Sequence, residues 1–546
     1  MYKYKIFLLS AIIVMGAVAC KKAELQLVNP NAPTPTSALI TESGIESYAQ
    51  GIIVRPIVNV PQEGVTNIQE LAWAQQIILG DECYIPYGNF AFRWTNQVYK
   101  VTLPDGRSFT TPIGVPQKTS LQGFNSRDAG ELNAFQYEWS YCYYFIKQAN
   151  TILYAVENPA LTFSGNAATK KAVLRAWALW WKGYCYSRIG SMYIAGIINN
   201  DTTFNFTVNN NFVSRQDIIT EATRNFDLSL SVLSGLTNDA DYYAVMQTII
   251  PSFSDNSIAH LVTPAQWIRQ INSYKARNIL VSKKIPDMTA ADWTAILGLA
   301  NQGLTASDNI FKKGLTPDGS NDVSGFTFPY LLANQQNQWF FISERLVQEY
   351  KPGDTRLDRN FVQGVVNDAN KRSRGLQFGT RWIARNIEDG GSYSTITGQG
   401  YVNYACTYEE NALMKAEALI YTGQVDQGLQ AIDEVRNYQA SGLPAVAGTG
   451  LTKAQALEEL RRERRVALVF RGLSFFDARR WGVTAPASAG GGRVGAIINV
   501  PASLAGTPGN TPMACFVEYN YMDYFDVPQN ELDFNTPGPG SVPVKQ

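Results

Sequence analysis

Apolar side chains recur every three to four residues through much of this chain, which predicts long amphipathic helices arranged in pairs. The periodic segments are residues 64–79, 133–156, 167–194, 212–233, 264–281, 292–304, 408–421 and 425–438, and a last helix that Thr452 begins. Gly423 lies between two of them, so 408–421 and 425–438 form a tight helical hairpin with small residues at Ala416 and Ala418. This hairpin resembles a tetratricopeptide unit. We therefore predict an all-α-dominated fold, a tetratricopeptide-like scaffold of helical hairpins with long irregular loops and a few short strands.

Several segments break the helical period. Residues 84–99, here called the aromatic loop, hold six aromatic rings outside any amphipathic pattern. A loop this aromatic cannot hide every ring in a helix interface, so we expect some rings to line a groove. The segment that follows, to residue 125, predicts a loop or a small hairpin. Residues 306–405, approximately, predict elaborated binding loops, and residues 535–546 predict a disordered tail.

The first 20 residues read as a secretion signal. Lys3 and Lys5 precede an apolar run that is too short for a comfortable membrane span, and small residues lead to Cys20. The ending Ala-Val-Ala-Cys resembles a bacterial lipobox. We therefore predict a signal peptide over 1–19, lipid attachment at Cys20, a tether over 20–40 and a single globular domain over 41–546. The alternative is a plain signal peptide with an incidental Cys20.

Charge and residue usage exclude several classes of function. The formal net charge is zero and the pI is about 6.7, which gives no reason to expect a nucleic-acid partner. His260 is the single histidine, which excludes zinc sites with several His ligands and requires any His-based catalytic triad to use this one residue. The cysteines after Cys20 are scattered without motif spacing and predict buried thiols. We expect no cofactor and no metal site.

Carboxylate pairs are the remaining catalytic possibility. Glu409-Glu410 and Glu458-Glu459 are adjacent on predicted helices, where neighbouring side chains point apart, so neither pair forms a glycosidase dyad. Asp81-Glu82, next to the aromatic loop, is the one pair that a hydrolase could use. We predict that the protein is not an enzyme.

The segment 456–482 combines many charges with an apolar cluster. Glu458 lies four residues before Arg462, and Asp477 lies one turn before Arg480, so acids offset the arginines locally. Arginine stems beside aromatic rings favour a semi-buried lattice of ion pairs, with ligand contact as the alternative. The D-x-R element at 354–356 predicts a further internal salt bridge.

This segment also carries a family resemblance. Residues 463–482 read E-R-R-x-x-L-x-F-x-G-x-x-F-F-D-x-R-R-W-G, which resembles the C-terminal signature of the SusD/RagB family of outer-membrane nutrient-binding lipoproteins. Further elements resemble the family in order along the chain: KQANTIL, LRAWALWWKGYCYSRIGSMY, EENALMKAEALIYTG and YFDVPQNELDFN. The resemblance covers nearly the whole chain.

The resemblance implies a location, a ligand and a partner. It implies a lipid-anchored protein of the outer membrane, exposed on the cell surface, that captures an oligosaccharide and delivers it to a SusC-like TonB-dependent channel. In the family, aromatic residues on loops form the sugar platform. Local chemistry selects the ligand-binding residues predicted here: Tyr87, Arg93, Trp94, Asn96 and Trp339. Alternative functions are peptide binding by the same fold, a surface glycan hydrolase and a scaffold that binds partners.

Overall fold

The computed structural model describes residues 38–54, 68–85, 87–110, 115–200, 208–250, 257–315, 341–364, 379–385, 388–389, 392–393 and 400–546. These residues are mainly helical, with a few short strands, so the predicted fold class is confirmed. Cys20, the predicted signal peptide and Trp339 lie outside the described residues, as does the tether up to residue 37.

The helices predicted from the periodicity are present, with small shifts at their ends, whereas the helices Glu42–Val54 and Ala240–Ile249 were not predicted. The helices are α1 Glu42–Val54, α2 Ile68–Leu79, α3 Phe92–Thr95, α4 Gln117–Gly123, α5 Gln136–Glu157, α6 Ala167–Met192, α7 Arg215–Leu233, α8 Ala240–Ile249, α9 Pro264–Ser282, α10 Ala290–Asn301, α11 Glu344–Val347, α12 Arg356–Asn360, α13 Tyr408–Tyr421, α14 Val425–Tyr438, α15 Lys453–Ala467, α16 Ser474–Arg480, α17 Ala502–Ala505 and α18 Gln529–Leu532. The strands are β1 Cys83–Tyr84, β2 Lys100–Thr102, β3 Ser108–Thr110, β4 Ala195–Ile197, β5 Phe212–Ser214, β6 Lys312–Leu315, β7 Phe341–Ile342, β8 Phe361–Gln363, β9 Trp382–Ala384, β10 Glu388–Asp389, β11 Ser392–Tyr393, β12 Gly400–Asn403, β13 Arg493–Val500 and β14 Thr511–Glu518.

Helix α6 lies at the centre of the helical scaffold. Its Trp177, Trp180 and Trp181 are fully buried. Gly183 on the same helix meets α7, where a Cβ atom would lie 2.5 Å from the ring of Phe226. Because no side chain fits in that space, glycine is what lets the two helices approach closely.

The hairpin of α13 and α14 has the ends that its sequence predicted. Gly423 at the turn has a φ of +88°, a conformation that glycine adopts without strain. Thr407 caps α13 by accepting from the backbone N–H of Glu410. Thr452 caps α15 in a reciprocal pair with Gln455, which satisfies N–H groups that the first helical turn leaves unpaired.

A four-stranded antiparallel sheet in the order β13-β14-β2-β3 joins the C-terminal part of the chain to the segment after the aromatic loop. The small hairpin predicted there is confirmed as β2 and β3. Strands β13 and β14 were not predicted, because the glycine-rich residues before β13 hide any alternation. Pairing of Phe516 with Thr102, far apart in sequence, completes the sheet.

The prediction of a disordered C-terminal tail is wrong. The backbone N–H of Val542 donates to the carbonyl of Phe212 at 3.0 Å, and that of Val527 donates to the carbonyl of Val544 at 2.9 Å. Proline and glycine exclude a helix from this tail, but they do not prevent its backbone from hydrogen-bonding to other parts of the chain.

The ion pairs predicted around segment 456–482 form a lattice that is buried rather than semi-buried. One cluster surrounds Glu463, which accepts from Arg356 at 2.5 Å and from Arg436 at 2.8 Å. The second surrounds Asp477, which accepts from Arg464 and Arg480, each at 2.8 Å. We call these two clusters the buried ion-pair lattice. The predicted salt bridge of the D-x-R element is also present and joins the first cluster, with Asp354 2.8 Å from Arg356.

The five cysteines among the described residues are buried free thiols, as expected. Within the same residues, no helix combines the length and the apolar character that crossing a bilayer requires.

Candidate functional site

The aromatic loop is held at both ends by strand pairing. Strand β1 pairs with β7, which places Phe341 opposite Tyr84 at the start of the loop. At the other end the backbone N–H of Tyr99 donates to the carbonyl of Glu518 at 2.9 Å, next to β2. Residues from the middle and the end of the sequence therefore meet the loop. Trp339 lies outside the described residues, two positions before Phe341.

The loop backbone makes a sharp turn before α3. Phe90 and Ala91 have φ values of 55° and 58°, in the left-handed region that non-glycine residues seldom adopt. Such a conformation persists only where surrounding contacts enforce it. Here the rings of Phe90 and Phe92 are buried and meet edge to face, with centroids 5.6 Å apart. The hydrophobic core therefore fixes the shape of the loop.

Asn96 closes the loop through its side-chain amide. With the amide oriented to satisfy both of its ends, it donates to the carbonyls of Phe92 and Arg93 at 3.0 and 3.1 Å and accepts from the N–H of Ile85 at 2.7 Å. These bonds engage both the oxygen and the nitrogen of the amide. The structure thus places Asn96, which we predicted as a ligand-binding residue, in the internal bonding of the loop.

Tyr87, Arg93 and Trp94 lie together on one turn. The backbone N–H of Arg93 donates to the carbonyl of Tyr87 at 3.1 Å, and its guanidinium lies 5.1 Å from the centroid of the Trp94 ring. The side chains of all three residues are half-buried. The structure therefore places the side chains of Arg93 and Trp94 next to each other and the backbone of Tyr87 beside Arg93.

The Trp94 ring also has a supporting contact that the sequence did not indicate. It meets Phe124 edge to face, with ring centroids 4.7 Å apart. On another side it lies against Gly88, where a Cβ atom would come within 3.1 Å of the indole. Since Phe124 is just after α4, no local pattern could assign it to the loop. These contacts fix the orientation of the Trp94 ring in the absence of a ligand. They are also the contacts expected of a ring whose role is to pack the loop onto the helical scaffold.

The acidic pair Asp81-Glu82 lies inside the protein. Asp81 accepts from Arg345 at 2.6 Å and from Tyr519 at 2.7 Å, and Glu82 accepts from Ser474 at 2.7 Å. Burial raises the pKa of Asp81, but the charge of Arg345 outweighs it and holds that pKa below its ordinary value. Burial raises the pKa of Glu82 to about 7. Glu82 has no exposed surface and cannot contact a substrate in the described structure, and the carboxylate of Asp81 is already engaged by Arg345 and Tyr519.

Chemically, the loop offers a flat ring, a guanidinium and a phenol. An indole ring suits the apolar face of a sugar, and guanidinium and phenol groups hydrogen-bond hydroxyl oxygens. Among the described residues, no group of three or more His, Cys, Asp or Glu side chains is arranged to hold a metal ion. The ring and the hydrogen-bonding groups of the loop favour binding of a polar ligand such as a sugar.

Comparison with known proteins places this fold. The model of the SusD family matches residues 301–541. No curated protein matches the chain. The structure is similar to that of a SusD-like carbohydrate binding protein from Bacteroides vulgatus ATCC 8482, with a TM-score of 0.57, 14% identity, and coverage of 94% of this chain and 98% of the other.

Two further solved structures agree. A SusD-like carbohydrate binding protein from Bacteroides fragilis NCTC 9343 has a TM-score of 0.56 and 15% identity, and the match covers 91% of this chain and 99% of the other. A structure determined with xylogluco-oligosaccharide has a TM-score of 0.52 and 15% identity, covering 94% of this chain and 99% of the other. The resemblance recognised in the sequence is confirmed: residues 301–541 match the SusD family, and the chain has the fold of SusD-like proteins.

Proposed function

We propose that this protein is a non-catalytic lipoprotein of the outer membrane, exposed on the cell surface, that captures an oligosaccharide and delivers it to a SusC-like TonB-dependent transporter. One observation carries the binding half of the proposal. Trp94, Arg93 and Tyr87 lie together on a single turn that the core holds in a fixed shape. The transporter and the membrane location follow from the family resemblance.

A ring that is already held in its binding orientation loses little conformational entropy when a sugar binds. Association costs about 0.5–1.5 kcal/mol for each flexible side chain that becomes ordered. Phe124 and Gly88 already hold the Trp94 ring, so that cost is reduced. Arg93 keeps its guanidinium beside the same ring, where a hydroxyl of a stacked sugar can accept from it.

The names of the similar structures support a carbohydrate as ligand. Two of them are described as SusD-like carbohydrate binding proteins, and a third was solved with xylogluco-oligosaccharide. The environment of Asp81 and Glu82 supports binding without turnover, because Glu82 is fully buried and Asp81 is paired with Arg345.

Replacing Trp94 with alanine tests the platform. We expect the affinity for a neutral oligosaccharide to fall at least tenfold, since about 1.4 kcal/mol of lost stacking corresponds to that factor. Calorimetry with xylogluco-oligosaccharide and a panel of other neutral oligosaccharides measures binding, and the melting temperature is recorded in parallel. Tyr144→Ala is the matched control, because this α5 ring is 37% exposed and lies outside the loop. Unchanged binding with a lower melting temperature would show that Trp94 only packs the loop.

Replacing Cys20 with alanine tests the anchor. Each buried methylene of an acyl chain contributes about 0.8 kcal/mol, and stable anchoring takes more than one chain. We expect the variant to move from the membrane fraction to the soluble fraction, as followed by immunoblotting of fractionated cells. A variant that remains entirely in the membrane fraction contradicts lipid attachment at this residue. The Cys83→Ala variant is the control, because this buried thiol lies in the folded domain.

A further inference from the structure

A second concave surface lies away from the aromatic loop, beside the buried ion-pair lattice. It is a cleft of about 420 Å³ where α15 and α16 meet the turn after α2 and the start of β13. We call it the arginine cleft, and its lining includes Arg461, Arg462, Arg465, Trp481 and Thr484. No residue of the aromatic loop is among its lining residues, so the two surfaces are distinct.

Positive charge exceeds negative charge on one wall of the arginine cleft. Arg461, Arg462 and Arg493 share two carboxylates, those of Glu349 and Glu458. Among the described residues these two acids have no other cationic partner, so three guanidinium groups face two carboxylates. A low-dielectric wall makes such a surplus more effective than it is in water.

The remaining charges of the lining do not cancel this surplus. Asp81 and Asp477 also line the cleft, but arginines of the core already neutralise both. Arg465 donates to the backbone carbonyls of Gly80 and Asp81 at 3.0 and 3.1 Å and forms no ion pair within the described part of the chain. The cleft is therefore suited to an anion.

Several hydrogen-bonding groups at the cleft have no protein partner. Arg462 is 34% exposed and uses its Nε–H to donate to Glu458 at 3.1 Å; its Nη1 lies 4.0 Å from the carboxylate of Glu349, and neither Nη atom makes a hydrogen bond to a described residue. The Nε of Arg465 and the Oγ1 of Thr484 are buried and also lack a partner in the described structure. Buried polar groups of this kind normally bind water or a ligand.

An aromatic ring completes the cleft. Trp481 is half-buried, and the guanidinium of Arg480 lies 4.6 Å from the centroid of its ring. Glu458 is 49% exposed and supplies an acceptor next to Arg462. A guanidinium whose two Nη atoms make no hydrogen bond to the described residues can bind a carboxylate bidentately. An indole suits the apolar face of a sugar, and a carboxylate accepts from sugar hydroxyls.

We propose that the arginine cleft binds a uronic acid unit of an acidic oligosaccharide, with Arg462 on the carboxylate and Trp481 on the sugar ring. This site extends the proposed capture of glycans and rests on it. It differs from the aromatic loop in its ligand, since the loop carries a single arginine, Arg93, and takes neutral sugar. A glycan that carries both kinds of unit is the ligand that the two surfaces together select.

The test is titration of the full protein with tri-galacturonate, its methyl ester and free acetate. We expect tri-galacturonate to bind at low salt, the methyl ester to bind at least tenfold more weakly, and acetate to bind weakly. Arg462→Gln should weaken tri-galacturonate binding at least tenfold and leave the binding of neutral oligosaccharides unchanged. Arg175→Gln is the matched control, because Arg175 is 37% exposed and pairs with Glu157 elsewhere on the surface.

Each outcome decides the proposal separately from the aromatic loop. Equal binding of tri-galacturonate by the Arg462→Gln variant, or no binding by the unmodified protein, overturns it. Acetate that binds as tightly as tri-galacturonate would mean that the cleft recognises a carboxylate alone and would overturn the sugar assignment. If Trp94→Ala loses the binding of neutral oligosaccharides and keeps the binding of tri-galacturonate, the arginine cleft is supported as a separate site. If Arg462→Gln loses only the binding of tri-galacturonate, the role of Trp94 in binding neutral sugar is unaffected.

Discussion

Replacing Glu463 with glutamine is expected to lower the free energy of unfolding by about 3–5 kcal/mol, the range seen when one partner of a buried ion pair is removed. Glu463 is 1% exposed and accepts from Arg356 and Arg436. Glutamine has nearly the same shape, so little of the loss comes from a cavity. The neutral amide leaves two buried guanidinium groups with less compensating charge, and its own N–H groups face donors.

Glu458 on the same helix provides the control for this measurement. Its side chain is 49% exposed and pairs with Arg461 and Arg462. Exposed pairs contribute about 0–1 kcal/mol, so Glu458→Gln should change the unfolding midpoint in urea only slightly. If the two variants have equal effects, the buried ion-pair lattice does not stabilise the fold in this way.

The effect of Glu463→Gln should also depend on pH. Burial raises the pKa of Glu463, but the charges of Arg356 and Arg436 outweigh it and hold the pKa below the ordinary value of 4.5. A carboxylate with a lowered pKa stabilises the fold above 4.5, and that contribution is lost as the pH falls through the folded-state pKa. The difference between variant and parent should therefore be complete at pH 7 and shrink in acid.

Replacing Glu82 with glutamine is expected to have the opposite sign and to stabilise the protein at pH 8. Burial raises the pKa of Glu82 from 4.5 to about 7. A raised pKa gives a stabilising contribution that is fully present below pH 4.5 and is lost as the pH rises through about 7. One pKa unit corresponds to about 1.4 kcal/mol, so up to about 3.5 kcal/mol is lost over that interval. Glutamine resembles the protonated acid and does not titrate.

Urea denaturation at several pH values measures this second prediction. Parent and Glu82→Gln should be similar near pH 4.5, and the variant should be more stable by about 2–3 kcal/mol at pH 8. Burial also raises the pKa of Glu46 to about 7, so part of the pH dependence will remain in the variant, and Glu46→Gln isolates that part. A Glu82→Gln variant that is less stable than the parent at pH 8 would show that Arg465 and Ser474 keep the carboxylate ionised.

The candidate site was only partly accessible to sequence reasoning. The density of aromatic rings in residues 84–99 predicted that some of them line a groove. In the structure Tyr87, Arg93 and Trp94 lie on one turn of this loop. The internal bonds of Asn96 and the support from Phe124 had no local pattern, since each depends on a backbone path that the core imposes. Trp339 stays a prediction.

Local patterns determined the helices of this protein. Periodic apolar positions and the turn at Gly423 act within a few residues, so the sequence alone placed the ends of α13 and α14 correctly, and Thr452 marked the start of α15. The D-x-R element and the pair of Asp477 with Arg480 are local in the same sense. The predicted helices and salt bridges follow from chain geometry over one or two turns.

Tertiary structure decided everything that joins distant parts of the chain. Strand β14 pairs with β2, and the C-terminal tail bonds to Phe212, because backbone groups there find partners across hundreds of positions. The same distant packing buries Glu82 beside Ser474. It also gathers the three arginines at Glu349 into a cleft. The hydrogen bonds and apolar contacts of a helix join residues a few positions apart, so the sequence by itself predicted most of the helices. Ion pairs and burial depend on residues that are close in space but distant in sequence. Only the tertiary structure therefore decided which charges are buried and which line the arginine cleft.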